Sequence, residues 1–133
     1  MDYITAMQLS RVISENGLRA TPGGFRLDIR LPWYRSLPLS TVEVAEVRID
    51  GRSVDPAKVR FELEGASYAL SAMPDLVDKV WYVLDSAWLD VASTALQPGS
   101  EHDVSVTLNL YPPYIRGLKR VTREQKRLQA LAS

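Results

Sequence analysis

A chain of 133 residues, 46% hydrophobic and 24% charged, is long enough to bury one core without staples and has the composition of a soluble globular domain. Its formal net charge is zero, and the absence of cysteine excludes disulfides, thiolate metal sites and a cysteine nucleophile. No stretch approaches the roughly 20 apolar residues of a membrane span, and Met1 to Ile13 lacks a basic start followed by an apolar run, so no leader and a cytoplasmic location are expected.

The predicted elements are strands. Asn16-Gly17 and Thr21-Pro22-Gly23-Gly24 are turn signals around a short first segment. The next strand alternates cleanly, with Phe25, Leu27, Ile29 and Leu31 on one face and Arg26, Asp28 and Arg30 on the other. Pro32 and Pro38 then bracket Trp33, Tyr34, Arg35, Ser36 and Leu37. Each proline fixes its own φ and restricts the residue before it, which predicts a stiff, extended surface loop carrying two aromatics and a guanidinium. Val42 and Val44 share one phase and Val47 and Ile49 another, and the slip at Ala45-Glu46 predicts a β-bulge.

Asp50-Gly51 is a tight-turn signal, with Asp55-Pro56 soon after it. Val59, Phe61 and Leu63 oppose Arg60, Glu62 and Glu64. Lys79 to Val91 is an almost unbroken apolar run that predicts a central strand covered on both faces. After Pro98-Gly99 comes a strand with Val104, Val106, Leu108 and Leu110 facing one way, ending at Pro112-Pro113. Strands separated by turns, with no spacers long enough for crossovers, predict an all-β antiparallel β-sandwich, jelly-roll or immunoglobulin-like, over residues 1–115.

Residues 116–133 form a basic C-terminal tail. Residues 1–115 hold 10 Lys/Arg against 15 Asp/Glu, a net −5, whereas the tail holds Arg116, Lys119, Arg120, Arg123, Lys126 and Arg127 against Glu124, a net +5. Thr122 and Gln125 have capping-box spacing, and Leu118, Val121, Gln125, Leu128 and Leu131 fall at helical intervals, which predicts a short amphipathic helix. Nucleic-acid binding by this tail is opposed by the acidic body and by the lack of aromatics within it.

Chemistry is scarce. His102, the one histidine, sits between Glu101 and Asp103 after a turn and reads as solvated decoration rather than a base. Asp75, Asp78 and Asp85 are the nearest approach to a carboxylate metal cluster, but they mark a turn. Glu62 and Glu64 share a strand face as a general acid/base pair would, yet they alternate with apolar residues as a solvated sheet face does. Ser36 and Ser40 have no base in support, and Gly23-Gly24 is a bare turn rather than a phosphate loop. No catalytic, cofactor or metal residue is assigned. The Trp33, Tyr34, Arg35, Ser36, Leu37 and Pro38 loop is instead a candidate partner interface, since Trp, Tyr and Arg dominate binding hot spots.

The run Glu15-Asn16-Gly17-Leu18-Arg19, the segment Phe25 to Ser40 with its Pro32-to-Ser40 core, and Glu43, Asp50-Gly51, Phe61, Trp81-Tyr82 and Asp85 in that order carry a resemblance. Over about residues 8–115 the chain resembles the small β subunit of bacterial C-glycoside deglycosidases; the tail lies outside it. The resemblance implies a β-sandwich that works only with a larger TIM-barrel α subunit carrying a divalent metal, typically manganese. That complex cleaves the carbon–carbon bond between a 3-oxo sugar and an aromatic aglycone. The C3 ketone acidifies the C2 proton, a metal can stabilise the resulting enolate, and loss of the aryl group from C1 is then an elimination. On this expectation the loop is buried mainly by the α subunit, near the aglycone entrance. Two other readings stay open: a stand-alone carbohydrate-binding module stacking sugars on Trp33, Tyr34, Trp81 and Trp88, and a structural subunit of another sugar-processing lyase or hydrolase.

Overall fold

The computed structural model describes residues 11–132, so most of the N-terminal stretch read for a leader lies outside it. Twelve strands run in chain order: β1 (Ile13–Thr21), β2 (Gly24–Arg30), β3 (Leu37–Pro38), β4 (Val42–Ile49), β5 (Arg52–Ser53), β6 (Val59–Leu63), β7 (Ala66–Ala69), β8 (Val80–Trp81), β9 (Ser86–Val91), β10 (Glu101–Leu110), β11 (Arg120–Gln129) and β12 (Leu131–Ala132). They form a six-stranded sheet in the order β12-β1-β2-β9-β6-β7, a four-stranded sheet β11-β10-β4-β5, and a two-stranded ribbon β3-β8. All the pairings are antiparallel except β1 with β12. The all-β antiparallel architecture is therefore as expected. Among the described residues no helix is long and apolar enough to cross a membrane.

The alternation read from β2 is what closes the core. Phe25, Leu27 and Ile29 are fully buried, and they meet Phe61, Leu89 and Trp81 from the same sheet and ribbon, and Val104, Val106 and Leu108 from the other sheet, in one apolar cluster. Phe61 and Trp81 pack edge to face with ring centroids 5.3 Å apart, a geometry that the ring quadrupoles favour. Gly24 is required by the pairing of β2 with β9, because a Cβ there would overlap the Val91 carbonyl oxygen. The bulge in β4 lies where the phase slips: Thr107 pairs with Glu46 but Leu108 with Val44, leaving Ala45 surplus. Asp50 and Gly51 both have positive φ, 50° and 81°, and close the β4–β5 hairpin as this dipeptide favours.

Four expectations are corrected. Asn16-Gly17 does not join two strands. It lies within β1, in a wide bulge between the Ile13–Ile29 and Leu18–Leu27 pairs, with Asn16 at a φ of 57°. The Lys79–Val91 run is not one buried strand, for it turns after Trp81, where the Asp85 N–H donates to the Tyr82 carbonyl at 2.9 Å and Trp81 Nε1 to the Asp85 carbonyl at 2.9 Å. Trp81 is inside, whereas Leu84 is 82% exposed. Glu64 is not on the β6 face either: with a φ of 52° it forms the turn to β7 with Gly65.

The tail is the fourth and largest correction. Instead of a helix, Arg120–Gln129 is a strand whose ten residues pair in unbroken register with β10, from Leu110–Arg120 to Glu101–Gln129. Leu118 begins this return after Gly117, whose φ of 78° reverses the chain. The pairing satisfies the backbone donors and acceptors of β10 that β4 does not reach, and that demand outweighs a weak helical periodicity. The inward side of β11 also reaches the other sheet. Glu124 Oε1 accepts from the N–H groups of Val12 (3.0 Å) and Ile13 (2.6 Å), while Lys126 Nζ donates to the Ile13 carbonyl at 3.2 Å.

Candidate functional site

Three connections meet at the pole where β2, β10 and β8 end and β4 and β9 begin. The first is the proline loop between β2 and β3. Leu31, Trp33 and Leu37 are buried in the protein's own core, while Tyr34 and Arg35 project into solvent, Tyr34 at 55% exposure. Trp33 and Leu37 are thus not free to be buried by a partner, which corrects the expectation for those two. Alternation explains the split: the loop is extended, and a buried anchor on each side of a two-residue tip leaves the tip outside. Ser36 is half-buried and Pro38, also half-buried, pairs with Val80 in the β3–β8 ribbon.

The loop is tied to its neighbours. Trp33 Nε1 donates to the Tyr114 hydroxyl at 2.5 Å, and the Arg35 guanidinium lies over the Tyr114 ring, 4.9 Å from its centroid. This stacks a delocalised cation on an aromatic face. The Trp33 and Tyr34 rings are 5.0 Å apart at 41°. On the other side the Val83 N–H donates to Ser36 Oγ at 2.9 Å, and Arg30 Nη1 donates to the Leu84 carbonyl at 2.6 Å. The Tyr114 hydroxyl raises the Tyr34 phenol above its ordinary value, with Arg35 pulling the other way, so Tyr34 keeps its proton at neutral pH.

Beside this pole a groove of about 590 Å³ runs between β4 and the 3-10 turn at Leu70–Asp75, lined by Val42, Val44, Leu70, Met73 and Tyr111. Glu43 stands at its rim, its Oε1 accepting from Asn109 Nδ2 (2.7 Å) and the Tyr111 hydroxyl (3.2 Å).

The other candidates disperse. Glu62 forms an ion pair with Arg26 at 2.9 Å on the outer face of the six-stranded sheet, where Arg26 also covers the Trp88 ring, so it does not work beside Glu64. Asp75 ends the 3-10 turn and Asp85 closes the turn after Trp81. Among the described residues no three His, Asp or Glu side chains converge as a metal site. Trp81 and Trp33 are inside and Trp88 is on a different sheet face, so the four aromatics of the sugar-stacking reading share no surface.

His102 is where the sequence was least informative. It is not solvated decoration: its Nδ1 meets Asp50 Oδ2 at 2.6 Å and its Nε2 meets Ser100 Oγ at 2.7 Å, with the side chain only 16% exposed. The order serine–histidine–aspartate is that of a nucleophilic triad. Here, however, the Gln97 carbonyl lies 2.6 Å from the Ser100 hydroxyl and competes with the imidazole for its proton. The set is a clamp. It ties the Asp50-Gly51 turn to the start of β10, where Asp50 Oδ1 also accepts from the Asp103 N–H at 3.0 Å. His102, then the Asp103 N–H and Arg127, holds the Asp50 carboxyl below its ordinary value. Nothing in the sequence links positions 50 and 102; only the register of β4 on β10 does.

The chain matches the family described as C-glycoside deglycosidase beta subunit over residues 4–114. It is 38% identical over 122 residues to a 3'-dehydrocarminate deglycosidase beta subunit of Microbacterium sp, covering 89% of this chain and 92% of that protein. It is 36% identical over 105 residues to a C-glycoside deglycosidase beta subunit of Microbacterium trichothecenolyticum, 79% of each chain. A protein of the same description from Arthrobacter globiformis is 30% identical over 106 residues, 79% of this chain and 80% of that one.

Proposed function

The chain belongs to the C-glycoside deglycosidase β-subunit family, and from that premise we propose that it assembles with a larger α subunit of TIM-barrel fold that cleaves the carbon–carbon bond between a 3-oxo sugar and an aromatic aglycone. The observation that carries the reading is the match to a named deglycosidase β subunit across 92% of that protein's length. The reaction is of lyase type: the C3 ketone acidifies the C2 proton, and expulsion of the aryl group from C1 follows. A divalent cation, manganese by the family's pattern, supplies Lewis acidity for such a step. In the proposed complex it belongs on the α subunit, as the family's pattern implies. The complex works in the cytoplasm, whose reducing conditions suit a chain without cysteine.

This chain's part is to hold and shape its partner. Tyr34 and Arg35 are the tip of the proline loop, fixed from behind by the buried Trp33 and Leu37, so they lose little conformational entropy on docking. Ser36 and Pro38 brace that tip. Co-expression of the chain with its α subunit, followed by an assay for aglycone release from a 3-oxo-C-glucoside, tests the reading. The pair should co-elute and turn over while either chain alone does not; a chain that elutes alone, with no effect on turnover, would refute it. Within an active complex, Tyr34→Ala plus Arg35→Ala should lower assembly or turnover about ten-fold, as loss of a hot-spot pair does. Normal assembly and turnover by that double variant would remove the tip from the interface.

A further inference from the structure

Exposed apolar surface is not spread over this molecule. Eight large apolar side chains are exposed among the described residues, and six of them lie on the three connections at the pole described above, β2–β3, β8–β9 and β10–β11. Tyr34 is on the first, Tyr82 and Leu84 on the second, and Tyr111, Tyr114 and Ile115 on the third; of the other two, Val77 precedes β8 and Val121 is on β11. Scattered exposed apolar residues are ordinary, whereas a concentration of this kind marks an interaction site. The three connections are adjacent by hydrogen bonding as well as by topology. Trp33 on the first reaches Tyr114 on the third, and Ser36 on the first reaches Val83 on the second.

We infer that the docking face for the α subunit is this whole three-loop pole, with Leu84, Tyr82 and Tyr114 as apolar anchors beside the Tyr34–Arg35 tip. The inference rests on the proposed function, which supplies the occupant: a β subunit has another subunit to meet. The chemistry of the surface agrees. Tyrosines predominate among the exposed groups, and the charged residues of the three loops are Arg35, Asp85, Arg116 and Lys119. An aromatic face with an arginine at its tip suits burial against protein. Trp33 has a part in this without touching the partner. Its buried indole positions the Tyr114 hydroxyl, so the first and third loops present their side chains as one body.

Two variants and one mapping measurement test the face. Leu84 is 82% exposed and Val121 56% exposed, so Leu84→Asp and Val121→Asp both place a carboxylate in solvent without touching the core. Each is co-expressed with the α subunit, with circular dichroism as the check on folding. Leu84→Asp should reduce co-eluting α subunit about ten-fold or more, while Val121→Asp, on the outer face of β11, should leave it unchanged. Amide exchange of the wild-type complex against the free chain should slow at residues 32–36, 82–85 and 112–117. If wild type co-elutes with the α subunit and Leu84→Asp does so equally, or if the slowed amides fall on β11 or β7, the face is wrong while the family reading stands. If wild type alone self-associates and Leu84→Asp makes it monomeric, the occupant is a second copy and the inference falls. If wild type and α subunit never associate, the proposed function fails first and takes this inference with it.

Discussion

Trp33 shows how one side chain can serve both the core and a surface. The residue is 8% exposed, yet its indole N–H reaches out to Tyr114. Trp33→Phe keeps an aromatic in the core and deletes the donor. The expected cost in urea unfolding is about 1 kcal/mol for the lost hydrogen bond plus some underpacking, together with weaker α-subunit binding; binding that is untouched would leave Tyr114 independent of Trp33. Asp50 makes a second prediction at this scale. Its folded pKa lies below its unfolded value of 3.8. The stability it contributes is therefore present above about pH 4 and is lost as pH falls through the folded value. Asn tolerates the positive φ found at this position, so Asp50→Asn removes the charge without straining the turn. The variant should be less stable than wild type at neutral pH, and the two midpoints should converge as pH falls below about 4. Parallel curves across that range would show that the carboxylate contributes nothing through its charge.

At the scale of elements, what was legible depended on whether local pattern and tertiary demand agreed. β2, β6 and β10 were plain because each places an apolar side chain at every second position, and the β4 bulge was plain because its two halves keep their valines and isoleucine on opposite phases. The Lys79–Val91 run failed because apolar composition looks the same in a buried strand and in an exposed loop; Trp81 and Leu84 are three residues apart and at opposite extremes of burial. The tail failed for a different reason. Leu118, Val121, Gln125 and Leu128 fall at helical intervals, but Val121 and Thr122 are β-branched, and the deciding fact is that β10 needs a partner along its length. Ending the chain after Gly117 should therefore leave β10 as an unpaired edge beside an opened core, with aggregation expected in light scattering and loss of soluble yield. A soluble, folded truncation would mean that β11 is dispensable. Gly24→Ala should separate β2 from β9 and cost about 1–3 kcal/mol by overpacking, read as a lower denaturation midpoint.

For the molecule as a whole, the core is complete within one chain, while the exposed apolar surface is gathered at one end. Such a protein should fold without its partner and gain stability from it only by mass action. Added α subunit at about 100 times its dissociation constant should raise stability by about 2.7 kcal/mol, or roughly 10 °C in Tm for a domain of this size. A midpoint that does not respond to the α subunit would argue that the two chains do not meet. The candidate site was half legible at this scale. The proline loop was readable from Trp33, Tyr34 and Arg35, but the contributions of Tyr82, Leu84 and Tyr114 were hidden because they reach the pole from residues 48 and 80 positions further along the chain.

One surplus residue sits in the strand that leads away from that pole. In β4, Val42 and Val44 face inward, as do Val47 and Ile49, only because Ala45 is extra to the pairing with β10. Were Ala45 deleted, Val42-Glu43-Val44 and Glu46-Val47-Arg48-Ile49 would alternate without a break, and each residue would keep its partner on β10. The bulge is a removable spacer: its loss would flatten a local bend and leave the inward face as it is. A change of length is thus most tolerable at this alanine, because the strand on either side of it already keeps one count along β10.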